Sequence, residues 1–324
     1  ALTMRHFERA ESRLHAALNV SLLCILVVVS SITTTAEAAE MWSFVPSPNA
    51  GGFTNSLTGA DATSPTNVWA VGASSNSILD RLDTMIMRWN GDEWTLFNAP
   101  NPNSMLQANR LYDVSTIGLN DAWAVGSHTF GPNTTPFLIH WNGSNWVEDN
   151  GADGLPPSYA AAVHMQASDD VWVLGTITQG GLGFPALVAH YDGATWTPMT
   201  IDNGGFGAIH FEAVHGIATD DIWACGFDNP GQGIFRSLVS HWDGAGWTVI
   251  GPPQAEFGCE LHDIVMIASD DVWAVGQCST TSIGDQPYAV HFDGSSWSAA
   301  AMPVSPDGHA RLEGVAARAS DDIW

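Results

Sequence analysis

The chain repeats one pattern of apolar and polar positions about every fifty residues. Its most regular part is a strand such as "DVWAVG" at 271–276, where Val272 and Ala274 lie on one face and Trp273 and Val275 on the other. Both faces are apolar, so this strand is predicted to be covered on both sides. The Trp of this strand recurs as Trp69, Trp123, Trp172, Trp223, Trp273 and Trp324.

Further strand signals accompany each copy. An apolar residue twelve positions before that Trp marks a preceding strand, at Leu57, Leu111, Ala160, Phe211, Leu261 and Leu312. A hairpin motif follows, with Asn-Gly or Asp-Gly between an aromatic residue and a closing Trp, at 88–94, 140–146, 190–196, 241–247 and 291–297. Asn-Gly and Asp-Gly favour tight turns with positive φ. Four short strands per period predict an all-β fold, a β-propeller of four-stranded blades.

The number of repeats predicts about six blades. Trp42 in "WSFVPSPN" matches the closing strand of a unit, and residues 312–324 match the two inner strands of another. We expect these two segments to meet in one composite blade that lacks its third strand. The alternative is a seventh blade in a longer protein, because the sequence stops inside a repeat and looks C-terminally truncated.

The first forty residues have a different pattern. An Arg-bearing start from Met4, an apolar run over 17–32 and the small-residue stretch "AEA" predict a signal peptide cut near Ala38. We therefore expect a signal segment at 1–38, with residues 1–3 from upstream translation, and a propeller at 39–324. The location would be secreted, periplasmic or at the cell surface. The alternative is an uncleaved anchor, although the run is shorter than the roughly 20 apolar residues of a spanning helix.

The charge balance restricts the partners. The chain has nine basic residues, all of them Arg, against 34 acidic ones, a formal net charge of −25. Nucleic acids and anionic membranes bind proteins through clustered cations, so both are poor partners for this chain.

The strand "DDVWAVG" at 270–276 and turns such as "HWDGAGW" at 241–247 together resemble the kelch repeat. The resemblance covers about residues 41–324 and is closest to divergent kelch-like propellers of secreted bacterial proteins. This family has a Gly pair at the end of the strand, and the Arg that often opens its inner strand occurs here only as Arg110 and Arg311. The chain has a single Gly there, at Gly72, Gly126, Gly175, Gly226 and Gly276.

The residues that recur in every unit are interpreted as scaffold. This holds for the tryptophans, which are predicted to pack in the core, and for His140, His190, His241 and His291, which occupy one position of the repeat. Asp pairs precede the strand at 169–170, 220–221, 270–271 and 321–322. Calcium needs six to eight converging oxygens, so we expect these residues to bond their own backbone in the turn.

Positions that differ between units are the candidates for function. Long variable loops are predicted at 126–137, 175–186 and 226–237, on the face where the inner strands begin. Loops on a rigid scaffold commonly carry binding residues. The residue before each inner-strand apolar position would surround the mouth of the central channel, a ring of Ser56, Arg110, Tyr159, His210, Glu260 and Arg311. The alternative is a solvated rim.

The cysteines of the mature chain give a structural prediction. Cys225 replaces the Val of "WAVG" and should be buried and free. Pairing Ile264 with Trp273 places Cys259 opposite Cys278, so we expect a disulfide in an exported protein.

Binding is favoured over catalysis. The sequence has no serine elbow, metal-ligand spacing or phosphate loop, and no cofactor or metal is expected. An oxidase resembling galactose oxidase would use Tyr112, Tyr159, His210 or His262, and a glycosidase would need two placed carboxylates. The sequence predicts a secreted, non-catalytic, monomeric propeller that binds a protein or glycan through its loop face. A propeller enzyme of the copper-radical oxidase or glycosidase type is the alternative.

Overall fold

The computed structural model describes residues 44–51, 54–76, 81–102, 107–130, 133–179, 185–230, 235–253, 258–280, 284–305 and 309–324. Within these ranges the chain is a β-propeller: five four-stranded antiparallel units are followed by a two-stranded sheet. A single parallel bridge between Leu82 and Ala108 joins the first two units into one sheet. The helix among these residues is a 3-10 turn at Asn150–Gly154, and none of them belongs to a helix long and apolar enough to cross a membrane.

Each complete blade runs from an inner strand to an outer strand, and neighbours in sequence are paired. Blade 1 is β1 (Asn55–Ser64), β2 (Asn67–Asn76), β3 (Arg81–Trp89) and β4 (Trp94–Phe97). Blade 2 is β5 (Gln107–Thr116), β6 (Ala122–Phe130), β7 (Asn133–Trp141) and β8 (Trp146–Glu148). Blade 3 is β9 (Ser158–Ala167), β10 (Asp170–Ile177), β11 (Ala186–Tyr191) and β12 (Trp196–Pro198). Blade 4 is β13 (Ala208–Ala218), β14 (Asp221–Asn229), β15 (Arg236–Trp242) and β16 (Trp247–Ile250). Blade 5 is β17 (Cys259–Ala268), β18 (Asp271–Thr280), β19 (Gly284–Phe292) and β20 (Trp297–Ala299).

The core lies between the blades. In blades 1 to 4 the Trp of the second strand packs on two aromatic residues of the next blade: the Trp69 ring centroid is 5.2 Å from that of Trp141 and 5.1 Å from that of Trp146. The sets Trp123–Tyr191–Trp196, Trp172–Trp242–Trp247 and Trp223–Phe292–Trp297 repeat this arrangement. In blades 1 to 4 the second strand is covered by the next blade, and its Trp is buried, as the pattern predicts; in blade 5 Trp273 is half-buried.

The inner strands are tied to one another by buried carboxylates. Asp113 Oδ1 accepts from Val114 N at 2.8 Å, and its Oδ2 accepts from Val163 N of the next blade at 2.9 Å. Asp61 and Asp263 make the same two kinds of bond, to Ala62 and Thr116 and to Ile264 and Val315 respectively. Each carboxylate therefore links two blades beside the channel.

The structure differs from the predictions at the loops. Much of the predicted loop at 126–137 is strand, because β6 continues to Phe130 and β7 begins at Asn133. Here Ser127 pairs with Pro136 and Thr129 with Thr134, and β-branched Thr favours a strand. The loop prediction is therefore wrong for most of this segment. Likewise, β10 reaches Ile177 and β14 reaches Asn229, so the predicted loops at 175–186 and 226–237 begin as strands.

The predicted register of the fifth blade is wrong by one residue. Val265, not Ile264, pairs with Trp273. A bulge between Leu261 and Asp263 shifts the register, so that Cys259 is nevertheless opposite Cys278.

The last segment is shorter in strand than expected. Within 312–324, strands occur only at β21 (Ala317–Ala319) and β22 (Asp322–Ile323). Leu312 N donates to Gly276 O at 3.1 Å, so this segment lies beside blade 5. Trp42 is outside the residues that the structure describes, and residues 44–51 form no strand. Closure of the ring by both termini stays a prediction.

Candidate functional site

One hydrogen-bonded unit recurs in blades 2 to 5. In blade 5, His291 Nε2 lies 2.8 Å from Asp271 Oδ1, and the imidazole stacks on Trp273 with centroids 4.3 Å apart. The other pairs are His140–Asp121, His190–Asp170 and His241–Asp221. The second Asp of the pair thus accepts from a side chain, whereas the sequence analysis expected bonds to its own backbone. Since the unit recurs with the repeat, it belongs to the scaffold.

Blade 1 builds the same unit from different residues. Arg88 Nε donates to Asn67 Oδ1 at 2.8 Å, and the guanidinium lies 5.0 Å from the ring centroid of Trp69. A cation over an aromatic face is attractive. This position of the repeat is therefore occupied by a flat side chain, an imidazole or a guanidinium, that hydrogen-bonds to the turn residue and stacks on the Trp. A guanidinium does not bind metals, so metal binding is not the shared property of the position.

Serine joins this unit at two junctions, but in an order unlike that of a serine-nucleophile triad. Ser168 Oγ donates to Asp121 Oδ2, while Asp121 Oδ1 is bonded to His140. Ser320 makes the same contact with Asp271. In the hydrolase triad the imidazole stands between serine and carboxylate and takes the hydroxyl proton. Here the carboxylate stands between them, so the arrangement holds blades together.

Five of the six predicted ring residues lie at one end of the inner strands, directly before a β-bulge, and Arg311 lies in a segment that forms no strand. Tyr159 is 41% exposed and the side chain of Arg311 is 62% exposed. Ser56 and Arg110 are also exposed, whereas His210 and Glu260 are half-buried. The His210 ring stacks on Phe227 of its own blade at 4.9 Å, and its Nδ1 is 3.1 Å from Thr176 Oγ1 of blade 3.

Four further residues lie two positions after a ring member, and for three of them this is the bulge position. Glu260 Oε2 is 3.6 Å from His262 Nε2, and Arg311 forms an ion pair with Glu313. The Tyr112 and Tyr159 rings contact across two blades, with centroids 6.5 Å apart. The residues that sequence reasoning did not place in the ring are Tyr112, Glu212, His262 and Glu313. The available sequence signal was the Gly that recurs on the paired second strand, because a Gly within a strand often marks a bulge on its partner.

The bulge residues also bridge blades. His262 Nδ1 donates to Leu312 O at 3.0 Å, and Thr58 Oγ1 donates to Leu111 O at 2.7 Å. A carbonyl oxygen only accepts, so the proton of the neutral His262 ring is on Nδ1, and Nε2 faces Glu260. We define the channel mouth as the six ring residues together with Tyr112, Glu212, His262 and Glu313.

Electrostatics at the mouth are perturbed. Burial raises the pKa of Glu212 to about 7, with Glu260 and Glu313 adding to the shift and His262 opposing it. Glu260 raises the pKa of His262. Burial raises the pKa of Tyr112 and lowers that of His210. Perturbed groups in a concave region mark candidate functional sites.

The cysteines do not supply a copper-radical centre. Cys259 and Cys278 form a disulfide bond, with Cα atoms 4.1 Å apart. Cys225 is a buried free thiol, and burial raises its pKa. The disulfide leaves Cys225 as the one free thiol among the described residues, and no contact joins it to Tyr112 or Tyr159. Over the ranges that the structure describes, no group of three or more His, Cys, Asp or Glu residues could hold a metal ion.

Comparison with known proteins identifies the fold alone. No protein-family model and no curated protein matches the chain. The chain is similar to the extracellular domain of the putative one-component system BT4673 from B. thetaiotaomicron, a β-propeller protein. The TM-score is 0.51 at 10% identity over 85% of this chain, and the chain spans only 32% of that protein.

Two further structures are more distant. YCF48 bound to D1 peptide has a TM-score of 0.48 at 14% identity, covering 83% of this chain and 73% of that one. An ulvan lyase of a new polysaccharide lyase family has a TM-score of 0.38 at 8% identity, covering 72% and 80%.

Proposed function

We propose that this protein is a non-catalytic propeller that binds a protein or a glycan through the channel mouth. The observation that carries the proposal is the contrast between the two ends of the blades. At one end the His–Asp–Trp unit repeats from blade to blade. At the mouth the side chain changes from each blade to the next, and the ring includes exposed Arg110, Tyr159 and Arg311. Side chains that vary on a rigid scaffold are suited to recognition.

The mouth also has the chemistry of a recognition surface. It combines a pair of tyrosine rings, exposed arginines and carboxylates, and aromatic and Arg side chains dominate binding energy at interfaces. Screening the native protein on a glycan array and on a peptide library would identify the ligand class. Tyr159→Ala should lose the hits, while Val147→Ala, at a half-exposed apolar residue of β8, should retain them. The proposal would be contradicted if none of the hits were weakened by Tyr159→Ala, Arg110→Ala or Arg311→Ala.

One observation supports a second candidate, a glycosidase-like activity. Glu212 holds its proton near neutral pH beside other carboxylates, which is the property of a general acid. Hydrolysis of chromogenic glycosides that is abolished by Glu212→Gln would favour this enzyme. No hydrolysis by the native protein would leave the binding proposal as stated.

We also propose that the repeats are kelch-like and that the protein is exported and monomeric. The strand and turn motifs support the first point, and the N-terminal apolar run with "AEA" supports the second. The domain division is then a signal segment at 1–38 and a propeller at 39–324. Expression with its own leader, followed by N-terminal sequencing of the exported product, tests the cleavage near Ala38.

A further inference from the structure

The junction between blades 4 and 5 has a smaller aromatic residue than its counterparts. Trp141 and Trp242 fill the last position of the third strand in blades 2 and 4, and each packs on the Trp of the preceding blade. Blade 5 has Phe292 there, with its ring centroid 5.0 Å from that of Trp223. A cavity of about 650 Å³ lies at this junction. Its size is within the roughly 300–1,000 Å³ of small-molecule pockets.

The replacement of Trp by Phe also removes a hydrogen-bond donor. Trp242 Nε1 donates to Thr219 O at 3.1 Å, and Trp89 and Trp141 make the same bond in their own blades. Phe292 has no N–H. Ser269 of blade 5 is at the repeat position of Thr219 in blade 4. Its carbonyl oxygen therefore lacks the Trp donor, and Ser269 lines the cavity.

A second acceptor faces the same space. Asp221 lines the cavity, and its Oδ1 is 2.8 Å from His241 Nε2. At two other junctions the Oδ2 of the equivalent Asp accepts a serine hydroxyl from the next blade, in Ser168–Asp121 and Ser320–Asp271. Ser269 is the equivalent serine at this junction, but among the described residues no hydrogen bond joins Ser269 to Asp221. Asp221 Oδ2 is thus available to a ligand.

We propose that this cavity, the blade 4–5 cleft, binds a neutral sugar ring. Phe292, Trp223 and Ile250 form an apolar wall for the C–H face of the ring. Asp221 Oδ2 and the Ser269 carbonyl accept hydrogen bonds from its hydroxyl groups. A carboxylate together with Asp220 at the rim disfavours an anionic ligand. The site is on the opposite side of the blades from the channel mouth, and it does not depend on the proposed function.

Sugar binding can be tested by saturation-transfer NMR with glucose, galactose and mannose as probes. We expect at least one of the three to bind the native protein. Phe292→Trp fills the cleft with the residue that blades 1, 2 and 4 carry, so it should fold and weaken binding by about tenfold or more. Tyr191→Trp makes the matched change in blade 3 and should bind as the native protein does. A thermal melt of each variant confirms that it is folded.

Several outcomes would overturn the proposal. They are no binding of any of the three sugars, native-like binding by Phe292→Trp, and loss of binding in Tyr191→Trp. Ethylammonium binding in place of the sugars, with the same dependence on Phe292, would overturn the assignment of a neutral sugar. Tyr159→Ala should leave sugar binding unchanged; loss of binding in that variant would overturn the cleft and locate the sugar at the mouth.

Discussion

The carbonyl oxygen of Glu260 occupies the space that a side chain on Gly276 would need, because a Cβ at Gly276 would lie 2.0 Å from that oxygen. The ring residues Ser56, Arg110, Tyr159 and His210 approach Gly72, Gly126, Gly175 and Gly226 in the same way. In every complete blade the bulge follows directly after this contact. The single repeated Gly therefore sets the position of each mouth residue.

Gly276→Ala should destabilise the protein, because the carbonyl it would meet belongs to a paired strand. Overpacking of this kind costs about 1–3 kcal/mol or more in unfolding free energy, as urea denaturation would show. Gly246→Ala is the matched control, since nothing lies within 4 Å of a Cβ there. It should change stability by only about 0.5 kcal/mol. Equal effects of the two variants would mean that the close approach is not a constraint.

Trp42→Ala tests closure of the ring. If Trp42 closes a blade as Trp94, Trp146, Trp196, Trp247 and Trp297 do, which are all buried, its loss should cost about 3–5 kcal/mol. Phe44→Ala, two residues away at a side chain that is 91% exposed, should have little effect. A native melting curve for Trp42→Ala would refute the composite blade.

Removal of the disulfide should weaken blade 5. Cys259 and Cys278 are 19 residues apart in sequence, and a loop of this size loses about 3 kcal/mol of stabilisation when the cross-link is broken. The Cys259→Ala, Cys278→Ala double variant should therefore unfold at lower urea. Dithiothreitol should lower the native midpoint and leave that of the double variant unchanged. If reductant shifts both midpoints equally, the bond is not the cause.

The blade-linking carboxylates predict a pH dependence of stability. Burial raises the pKa of Asp113 from 3.8 to about 7 and that of Asp263 to about 6. Both groups hold a proton more tightly when the protein is folded. Their contribution to stability is therefore full below about pH 4 and is lost as the pH rises to about 7. His215 acts in the opposite sense, because burial lowers its pKa from 6.5 to about 3 and its contribution is lost as the pH falls below 6.5.

Asp113→Asn isolates the carboxylate contribution. The unfolding free energy of the native protein minus that of this variant should fall from pH 5 to pH 8, because only the native protein loses the contribution of the protonated carboxyl. The difference between the native protein and Asp92→Asn, at an exposed turn residue, should stay constant over that range. If the unfolding free energy of the native protein minus that of Asp113→Asn rose with pH, the assigned direction of the pKa shift would be contradicted.

The fold could be predicted because the repeat makes each unit confirm the others. The Trp of the second strand and the Gly of the turn recur at fixed spacing, so periodicity alone identifies four-stranded blades. The ring residues could also be identified from the sequence, because each of them directly precedes an apolar residue that recurs in every unit.

Features that break the alternation were not accessible from sequence. A bulge shifts Val265 opposite Trp273 and brings His262 next to Glu260. The repeated Gly on the paired strand indicates a close approach at this level, but nothing in the inner strand itself marks which residue is the extra one. The partner of Asp271 is twenty residues away in His291, so turn chemistry alone could not identify it. The cleft at Phe292 depends on the volume of one aromatic side chain relative to its counterparts in other blades.

The most direct test of the central claim, that recognition belongs to the mouth and the repeats are scaffold, is calorimetric titration of an identified ligand into paired variants. Tyr159→Ala should weaken binding by about tenfold or more with little change in melting temperature, because hot-spot aromatics carry much of the binding energy. Trp172→Ala, at a buried Trp outside the blade 4–5 cleft, should lose about 3–5 kcal/mol of stability and should bind normally in its folded fraction. The claim would be contradicted if Tyr159→Ala, Arg110→Ala and Arg311→Ala bound as the native protein does while Asp220→Ala, on the opposite face, lost binding.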